Sequence, residues 1–272
     1  MKPLAKIFNK PAALPTISSV VMELLAMTRD PSVQLSSIAK AVSLDQVLAA
    51  KVLRTANSAY FGRSGTVSSL EDAISTIGIH NFRTTIITNG LLKALPDAPG
   101  IVMPSYWKMG MHTAFMASAL AEKVGHDREE AFTIGLMQGL GVLLIHLIMP
   151  DEAAQVVQTV DVFDFAGRRS VEQFILGFDN AEVGAELLKR WKFPVSIQKA
   201  LVTYSNRSPL PDMLGQLLSV SSAYAFGVVT GLDGSSFAEN IEPEFTKSLS
   251  LTNEWLGSCR HKVSESVQLM NV

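Results

Sequence analysis

Residues 131–149 read AFTIGLMQGLGVLLIHLIM, and this stretch decides the fold class because it contains no Asp, Glu, Lys or Arg. A helix that is apolar on every side is either the core of a helical protein or a membrane span. Gln138, His146 and three glycines interrupt the apolar run, and acidic pairs rather than basic clusters flank it. Because membrane spans usually carry basic flanks and aromatic belts, we predict a buried central helix and no membrane span.

Helical signals continue on both sides of this stretch. A Ser or Asp followed three residues later by Glu or Gln predicts a helix start. Such pairs include Ser43–Gln46, Ser68–Glu71, Ser170–Gln173 and Asp179–Glu182. The strand-like runs at 66–69 and 228–231 are too short and isolated to build a sheet. The fold class is therefore predicted to be all-α.

One internal boundary is indicated by LPDAPGIVMP at 95–104, which contains three prolines and a glycine. We expect it to divide an N-terminal helical lobe, residues 1–98, from a longer helical lobe, residues 99–272. A second loose stretch, at 231–244, has the composition of a surface loop.

Composition narrows the classes of function. The chain has 23 basic and 25 acidic residues, a net charge of −2, which argues against a protein that binds nucleic acid with its whole surface. A single cysteine, Cys259, excludes an intrachain disulfide and favours a reducing, cytoplasmic location. Hydrophobic residues make up 47% of the chain, so apolar surface can remain for a protein partner or a homo-oligomer.

Motifs for catalysis and metal binding are missing from the sequence. It contains no P-loop, no G-x-G-x-x-G and no G-x-S-x-G. Its histidines form no H-x-x-x-H or H-E-x-x-H pair, and His126-Asp127 lies in a charged, loop-like segment. We interpret His112 and His146, which lie in apolar stretches, as hydrogen-bonded core histidines.

Residues 36–56, SSIAKAVSLDQVLAAKVLRTA, have the pattern of a helix-turn-helix, with Lys51 and Arg54 as the basic positions of the second helix. Recognition helices carry several polar or basic side chains that reach phosphates and base edges. This helix is instead rich in Leu and Ala, so we expect no nucleic-acid partner, with DNA binding as a minor alternative.

ANSAYFG at 56–62, SLEDAISTIG at 69–78 and several shorter strings together resemble the HDOD family, the HD-related output domains of bacterial signalling proteins. The most specific is ANSAYFG at 56–62. The others are LPT at 14–16, DP at 30–31, LD at 44–45, SLEDAISTIG at 69–78, YW at 106–107, GFDNAEVGA at 177–185 and LKRWKFP at 188–194. The resemblance covers residues 14–207 and implies a multi-helix bundle in which the N-terminal lobe packs on an HD-like lobe.

The resemblance also gives a meaning to GLMQGLG at 135–141. HD and HD-GYP phosphohydrolases are similar in fold, and a string close to G-L-L-H-D-I-G supplies their adjacent metal-binding His and Asp. In this sequence Gln138 stands in the place of the His, and Gly139 stands in the place of the Asp. We expect Gly135, Gly139 and Gly141 to allow close helix packing, and Gln138 to form a hydrogen bond inside the former pocket.

The remaining positions that bind metal in the related phosphohydrolases are also replaced. They are occupied by Met109, by Asn180 after Asp179, and by Tyr204-Ser205. An amide cannot become the anionic ligand that a hard divalent cation requires, and glycine offers no ligand. The resemblance therefore implies a protein that is not an enzyme and has no metal or other cofactor.

The resemblance and the missing ligands together predict a non-catalytic regulatory module that contacts other signalling proteins. Asn57, Tyr60 and Phe61 form the expected contact surface, although Asn57 could instead cap a turn and Tyr60 could pack between the lobes.

The alternative function is a nucleotide or small-ligand sensor in the former metal pocket, and a residual phosphohydrolase is a weaker one. The pocket would be lined by Met109, Gln138, Gly139, Asp179, Asn180, Tyr204 and Ser205. Arg83, Lys93, Arg168 or Arg169 would serve its phosphate if they face the cleft.

Overall fold

The computed structural model describes residues 4–9, 14–30, 32–58, 67–205, 212–231 and 243–269. Every regular element in these ranges is a helix, so the predicted all-α class is confirmed. The helices are α1 Ala5–Phe8, α2 Ser19–Arg29, α3 Leu35–Ser43, α4 Gln46–Ala56, α5 Leu70–Ala94, α6 Met103–Val124, α7 Arg128–Met137, α8 Leu140–Ile148, α9 Pro150–Val157, α10 Arg168–Leu176, α11 Asn180–Arg190, α12 Val195–Thr203, α13 Met213–Thr230, α14 Pro243–Ser248 and α15 Asn253–Leu269.

The chain forms two compact units. The small unit is Pro15–Pro96, and the large unit is Met1–Leu14 together with Asp97–Val272. The boundary after Pro96 lies inside the proline-rich stretch, two residues before the predicted one. The first 14 residues differ from the prediction because α1 belongs to the large unit. Its Phe8 is buried, and the Arg190 guanidinium lies 4.4 Å from the centre of the Phe8 ring.

In the small unit, α2, α3 and α4 pack on α5. The i, i+4 spacing of Leu48 and Val52 puts both side chains on the buried face of α4. Gly78 interrupts α5 with a φ of 77° and produces a kink there. Later in α5, Gly90 allows close packing, since a Cβ at this position would lie 2.7 Å from the side chain of Val21.

The helix starts agree only in part with the predicted capping boxes. The Asp179–Glu182 box is confirmed at the start of α11. Asp45 rather than Ser43 caps α4, and Ser69 rather than Ser68 caps α5. Asp45 and Ser69 have the extended backbone that a cap requires. Ser170 is wrong as a cap, because α10 already begins at Arg168.

In the large unit, α6 packs against α7, α13 and α15, while α11 packs against α8 and α12. The predicted central helix at 131–149 is two helices in series, α7 and α8, with Gln138 and Gly139 at the junction. Two stretches, Arg128–Ile148 and Met213–Thr230, are long and apolar enough to cross a membrane. Their most apolar windows are 89% and 56% buried within the protein, so the first is mostly a core helix pair and the second is about half exposed.

The close packing that the glycines predict is present around α7 and α8. A Cβ at Gly135 would lie 2.7 Å from the Cα of Ala114 in α6. A Cβ at Gly141 would overlap the carbonyl of Asn180 at the start of α11. The glycines of the 135–141 string therefore let α7 pack closely on α6 and α8 on α11.

Candidate functional site

Gln138 lies at the junction of α7 and α8 with a relative exposure of 1%. Its Nε2 donates a hydrogen bond of 2.5 Å to Oγ of Ser222 in α13. No donor reaches its Oε1 from any residue that the structure describes. The amide thus forms the expected buried hydrogen bond and links the α7–α8 junction to α13.

Gly139 has no room for a side chain. A Cβ added there would lie 2.8 Å from the ring of Tyr106 and 3.0 Å from the ring of Phe165. Real Cβ atoms almost never approach other atoms so closely, and close packing in protein interiors leaves the neighbouring rings little space to move away. An aspartate at this position would therefore require both rings to shift.

Both carboxylate oxygens of Asp179 are engaged. Oδ1 accepts a hydrogen bond from the backbone N–H of Glu182 at 2.9 Å, which is the helix cap. Oδ2 accepts one from Nε of Arg169 at 2.8 Å. Arg169 also donates through Nη1 to the hydroxyl of Ser205. The structure thus brings Asp179 and Ser205 together through one arginine.

Asn180 belongs to a second buried set, centred on Glu172. Oε2 of Glu172 accepts hydrogen bonds from the backbone N–H and from Nδ2 of Asn180, both at 2.7 Å. Oε1 of Glu172 accepts one of 2.8 Å from Nε of Arg168, and both side chains are 0% exposed. Nδ2 of Asn180 also donates to the carbonyl of Phe165, whose ring covers Gly139. Buried ions persist only when they are paired and hydrogen-bonded, and this pair meets both conditions.

His146 extends this network to the chain just before α6. Its Nδ1 donates to the carbonyl of Pro99 at 2.8 Å, and Nη2 of Arg168 lies 3.3 Å from its Nε2. Burial lowers the pKa of His146, the hydrogen bond to Pro99 opposes this, and the charge of Arg168 adds to the lowering. A neutral ring with its proton on Nδ1 fits both contacts, so His146 is the hydrogen-bonded core histidine that we predicted.

Tyr204 is 1% exposed, and no described residue bonds its hydroxyl. Burial raises the pKa of this hydroxyl, while the charge of Arg169 lowers it and three nearby carboxylates raise it. Tyr204 therefore lies beside the Asp179 and Glu172 cluster. Met109, the remaining predicted pocket residue, is 0% exposed on α6.

The cations proposed for a phosphate are already engaged. In the large unit, Arg168 pairs with Glu172 and Arg169 with Asp179. In the small unit, Nζ of Lys93 lies 2.6 Å from Oδ2 of Asp45. Nη2 of Arg83 donates to the carbonyl of Thr28.

The residues around Gly139 do not fit a divalent metal ion. Within the described ranges, no group of three or more His, Cys, Asp or Glu side chains is placed to hold one. The positions that correspond by resemblance to metal ligands of HD phosphohydrolases offer a thioether, two amides, two hydroxyls, a glycine and one carboxylate, whereas divalent metal sites in proteins use several carboxylates, imidazoles or thiolates. The one carboxylate among them, Asp179, already caps α11 and pairs with Arg169.

Asn57, from the predicted contact surface, binds the backbone at two separated points. Its Nδ2 donates to the carbonyls of Leu53 and Val67, and its Oδ1 accepts from the N–H of Val67 at 2.7 Å. The amide thus joins the end of α4 to the chain just before α5, which is the structural alternative considered for it. Tyr60 and Phe61 lie outside the described residues.

Comparison with known proteins identifies the family. The model of the HDOD domain matches residues 14–207, and the chain therefore belongs to the HDOD family. A relative in Treponema pallidum (strain Nichols), an uncharacterised protein, is 23% identical over 244 residues. The match covers 87% of this chain and 46% of that relative, so the chain spans about half of its length.

Solved structures agree with this fold. A provisionally named phosphohydrolase of Shewanella amazonensis SB2B is 27% identical, with a TM-score of 0.75 over 98% of this chain and 96% of that one. An HDOD domain protein of unknown function from Geobacter sulfurreducens is 21% identical, with a TM-score of 0.75 and the same coverage. A provisionally named signal-transduction protein of Marinobacter aquaeolei VT8 is 19% identical, with a TM-score of 0.72 over 97% of this chain and 61% of that one.

Proposed function

We propose that this HDOD protein is a non-catalytic regulatory module that acts through protein contacts. The observation that carries the proposal is the environment of Gly139. The position of the bridging aspartate in the related phosphohydrolases is covered by the rings of Tyr106 and Phe165. In this account, the former metal site holds helices together and performs no chemistry.

Two further features support the proposal. Membership of the HDOD family supports a signalling-related module. The polar groups that could have faced a substrate bond to each other instead, as Arg169 does to Asp179 and Arg168 to Glu172. The same pairing disfavours a nucleotide sensor in the former pocket, because a phosphate there would have to displace a carboxylate from an arginine.

The turn between α3 and α4 is our choice for the partner surface. Leu44 is 77% exposed and Val47 is 54% exposed, and only two residues separate them. Contiguous exposed apolar patches mark interaction sites, and in this proposal Leu44 and Val47 belong to one. A second copy of this chain and a different signalling protein both fit this chemistry.

Turnover is the direct test of the non-catalytic part. The full chain, purified without chelator, is assayed with phosphodiester and nucleotide substrates in the presence of Mn²⁺ or Fe²⁺. We expect no hydrolysis above that of the Asp179→Asn variant. Hydrolysis that this substitution abolishes would show that an active site exists, and the proposal would be wrong.

The contact part is tested by placing a photo-crosslinking amino acid at Leu44 in cells. We expect a specific covalent product that Val47→Asp removes, and Phe174→Asp provides the control. Phe174 is also exposed, at 90%, but lies in the large unit on α10. Equal products from all three proteins, or no product, would contradict this choice of surface.

A further inference from the structure

A groove runs along the large unit between α6, α13 and α15. It consists of two adjoining depressions with volumes of about 400 and 740 Å³, and His112, Val228 and Ser264 line both. Volumes of this size are typical of small-molecule sites. None of the residues of the former metal site lines either depression.

The charge of the groove is positive although the chain carries a net charge of −2. Lys108 from α6 and Arg260 and His261 from α15 line it, and none of the described residues that line either depression is Asp or Glu. Among the described residues, Lys108 and Arg260 form no ion pair, in contrast to Arg168 and Arg169. Two cations that lack a carboxylate attract an anion to the groove between them.

His112 supplies a second, independent observation. Its ring lines both depressions, it is 4% exposed, and no described residue bonds its Nδ1. Burial, and then the charge of Lys108, lower the pKa of His112 to about 4, so the ring is neutral at pH 7 with one donor and one acceptor. Buried polar atoms without a partner are rare, and a bound molecule would satisfy this one.

The wall of the groove also offers apolar surface. The ring centres of His112 and Tyr224 lie 5.8 Å apart, and Val228 follows Tyr224 by one helical turn. Met111 lines the larger depression. The groove thus combines apolar and aromatic walls with cations on two helices, and two cations with the hydroxyl of Ser264 suit a dianionic phosphate better than a single carboxylate.

We propose that this groove binds a small organic phosphate of about nucleotide size. Lys108 and Arg260 contact the phosphate, and His112 hydrogen-bonds a polar atom of the organic part beside Tyr224. The inference is independent of the fate of the metal site, because it uses no residue from that site. It adds a ligand to the proposed regulatory module without adding a reaction.

Calorimetric titration of the full chain at low salt tests the charge requirement, with ADP, inorganic phosphate and adenosine as probes. We expect saturable binding of ADP and at least about tenfold weaker binding of adenosine. Arg260→Gln is expected to weaken ADP binding by about tenfold or more. Lys262→Gln removes the same charge from an exposed position of α15 outside the groove, and we expect a change within about twofold.

A substitution that fills the groove tests the location. A Cβ at Gly257, which lines the smaller depression, meets no atom within 4 Å. Gly257→Leu is therefore expected to abolish ADP binding while the Tm stays the same or rises. Absence of saturable binding of both ADP and phosphate up to about 5 mM would overturn the proposal. Unchanged affinity in Gly257→Leu and Arg260→Gln would also overturn it.

Discussion

At the scale of single residues, Gly139 and Glu172 show how closely the interior around the α7–α8 junction and α10 is packed and hydrogen-bonded. Gly139 has no side chain and no space for one, since the rings of Tyr106 and Phe165 lie against it. Glu172 is a fully buried carboxylate whose two oxygens accept three hydrogen bonds. Substitutions at these two positions therefore report on stability.

Gly139→Ala is expected to lower the free energy of unfolding by about 1–3 kcal/mol, because the new Cβ forces Tyr106 and Phe165 to move. Gly139→Asp is expected to cost more, since it also buries a carboxylate without a partner. Urea denaturation measures both effects. Gly257→Ala is the matched control, because its Cβ meets open space in a helix and should be neutral or stabilising by up to about 1 kcal/mol.

Glu172→Gln is expected to lower the free energy of unfolding by about 3–5 kcal/mol, because it leaves the charge of Arg168 buried and uncompensated. Glu186→Gln breaks a pair of the same i, i+4 spacing, with Arg190, on the surface of α11. The expected cost of this control is within about 0.5 kcal/mol. Equal losses of unfolding free energy in urea denaturation would mean that the buried pair contributes no more to stability than the exposed one.

At the scale of helices, the ends of α4 and α11 are fixed by side chains that bond backbone atoms. Asp179 caps α11 and also binds Arg169. Asn57 joins the end of α4 to Val67. Both residues belong to strings that resemble the family, so local structure accounts for at least part of what these strings do.

Asp179→Ala is expected to destabilise the protein by about 2–4 kcal/mol, because it removes a cap and leaves a partly buried arginine without its carboxylate. Asp127→Ala is the control, since Asp127 caps α7 from an exposed position and its carboxylate forms no ion pair in the described part of the chain. The loss of a cap alone costs about 1 kcal/mol. If thermal unfolding shows that both variants lose the same stability, the ion pair between Asp179 and Arg169 makes no net contribution to stability.

Asn57→Ala is expected to cost about 1–2 kcal/mol, because two hydrogen bonds to Val67 are lost. Asn81→Ala removes one local bond, to Ile77 in the same helix, and should cost less. Chemical denaturation of both variants measures whether Asn57 contributes to stability through its bonds to Val67. A stable Asn57→Ala variant that loses a protein partner would instead support the predicted contact surface.

The sequence predicted the helices and the Asp179–Glu182 box because both depend on local spacing. It could not choose between Ser43 and Asp45 as the cap of α4, since both side chains can accept the bonds and the backbone decides. It named Arg168 only as a candidate phosphate ligand, and it missed Glu172 and the pair that the two residues form. An Arg and a Glu four residues apart usually form an exposed pair, and only the packing around α10 makes this pair a buried one.

At the scale of the whole molecule, two neutral histidines, His112 and His146, are buried in the large unit. Burial lowers the pKa of both, that of His112 to about 4. Histidines in the unfolded chain have a pKa of about 6.5, so between about pH 4 and pH 6.5 the unfolded chain binds more protons than the folded protein. The contribution of these two neutral histidines to the free energy of unfolding is complete above pH 6.5 and is lost as the pH falls toward 4.

His112→Gln is expected to flatten this pH dependence. The wild-type contribution of His112 to the loss between pH 7 and pH 4 is about 3 kcal/mol, and the variant removes it. Urea denaturation at a series of pH values measures the slope. A wild-type slope that persists unchanged in the variant would mean that His112 is protonated as easily in the folded protein as in the unfolded chain.

The metal content of the full chain tests the central claim most directly. Protein purified without chelator is analysed for iron, manganese and zinc, and the Asp179→Asn variant is analysed beside it. The account predicts far less than one metal ion per chain and equal traces in both proteins, because the described residues around Gly139 include no set of metal ligands. A stoichiometric metal that disappears with Asp179→Asn would show that the HD-type site still functions and that the account is wrong.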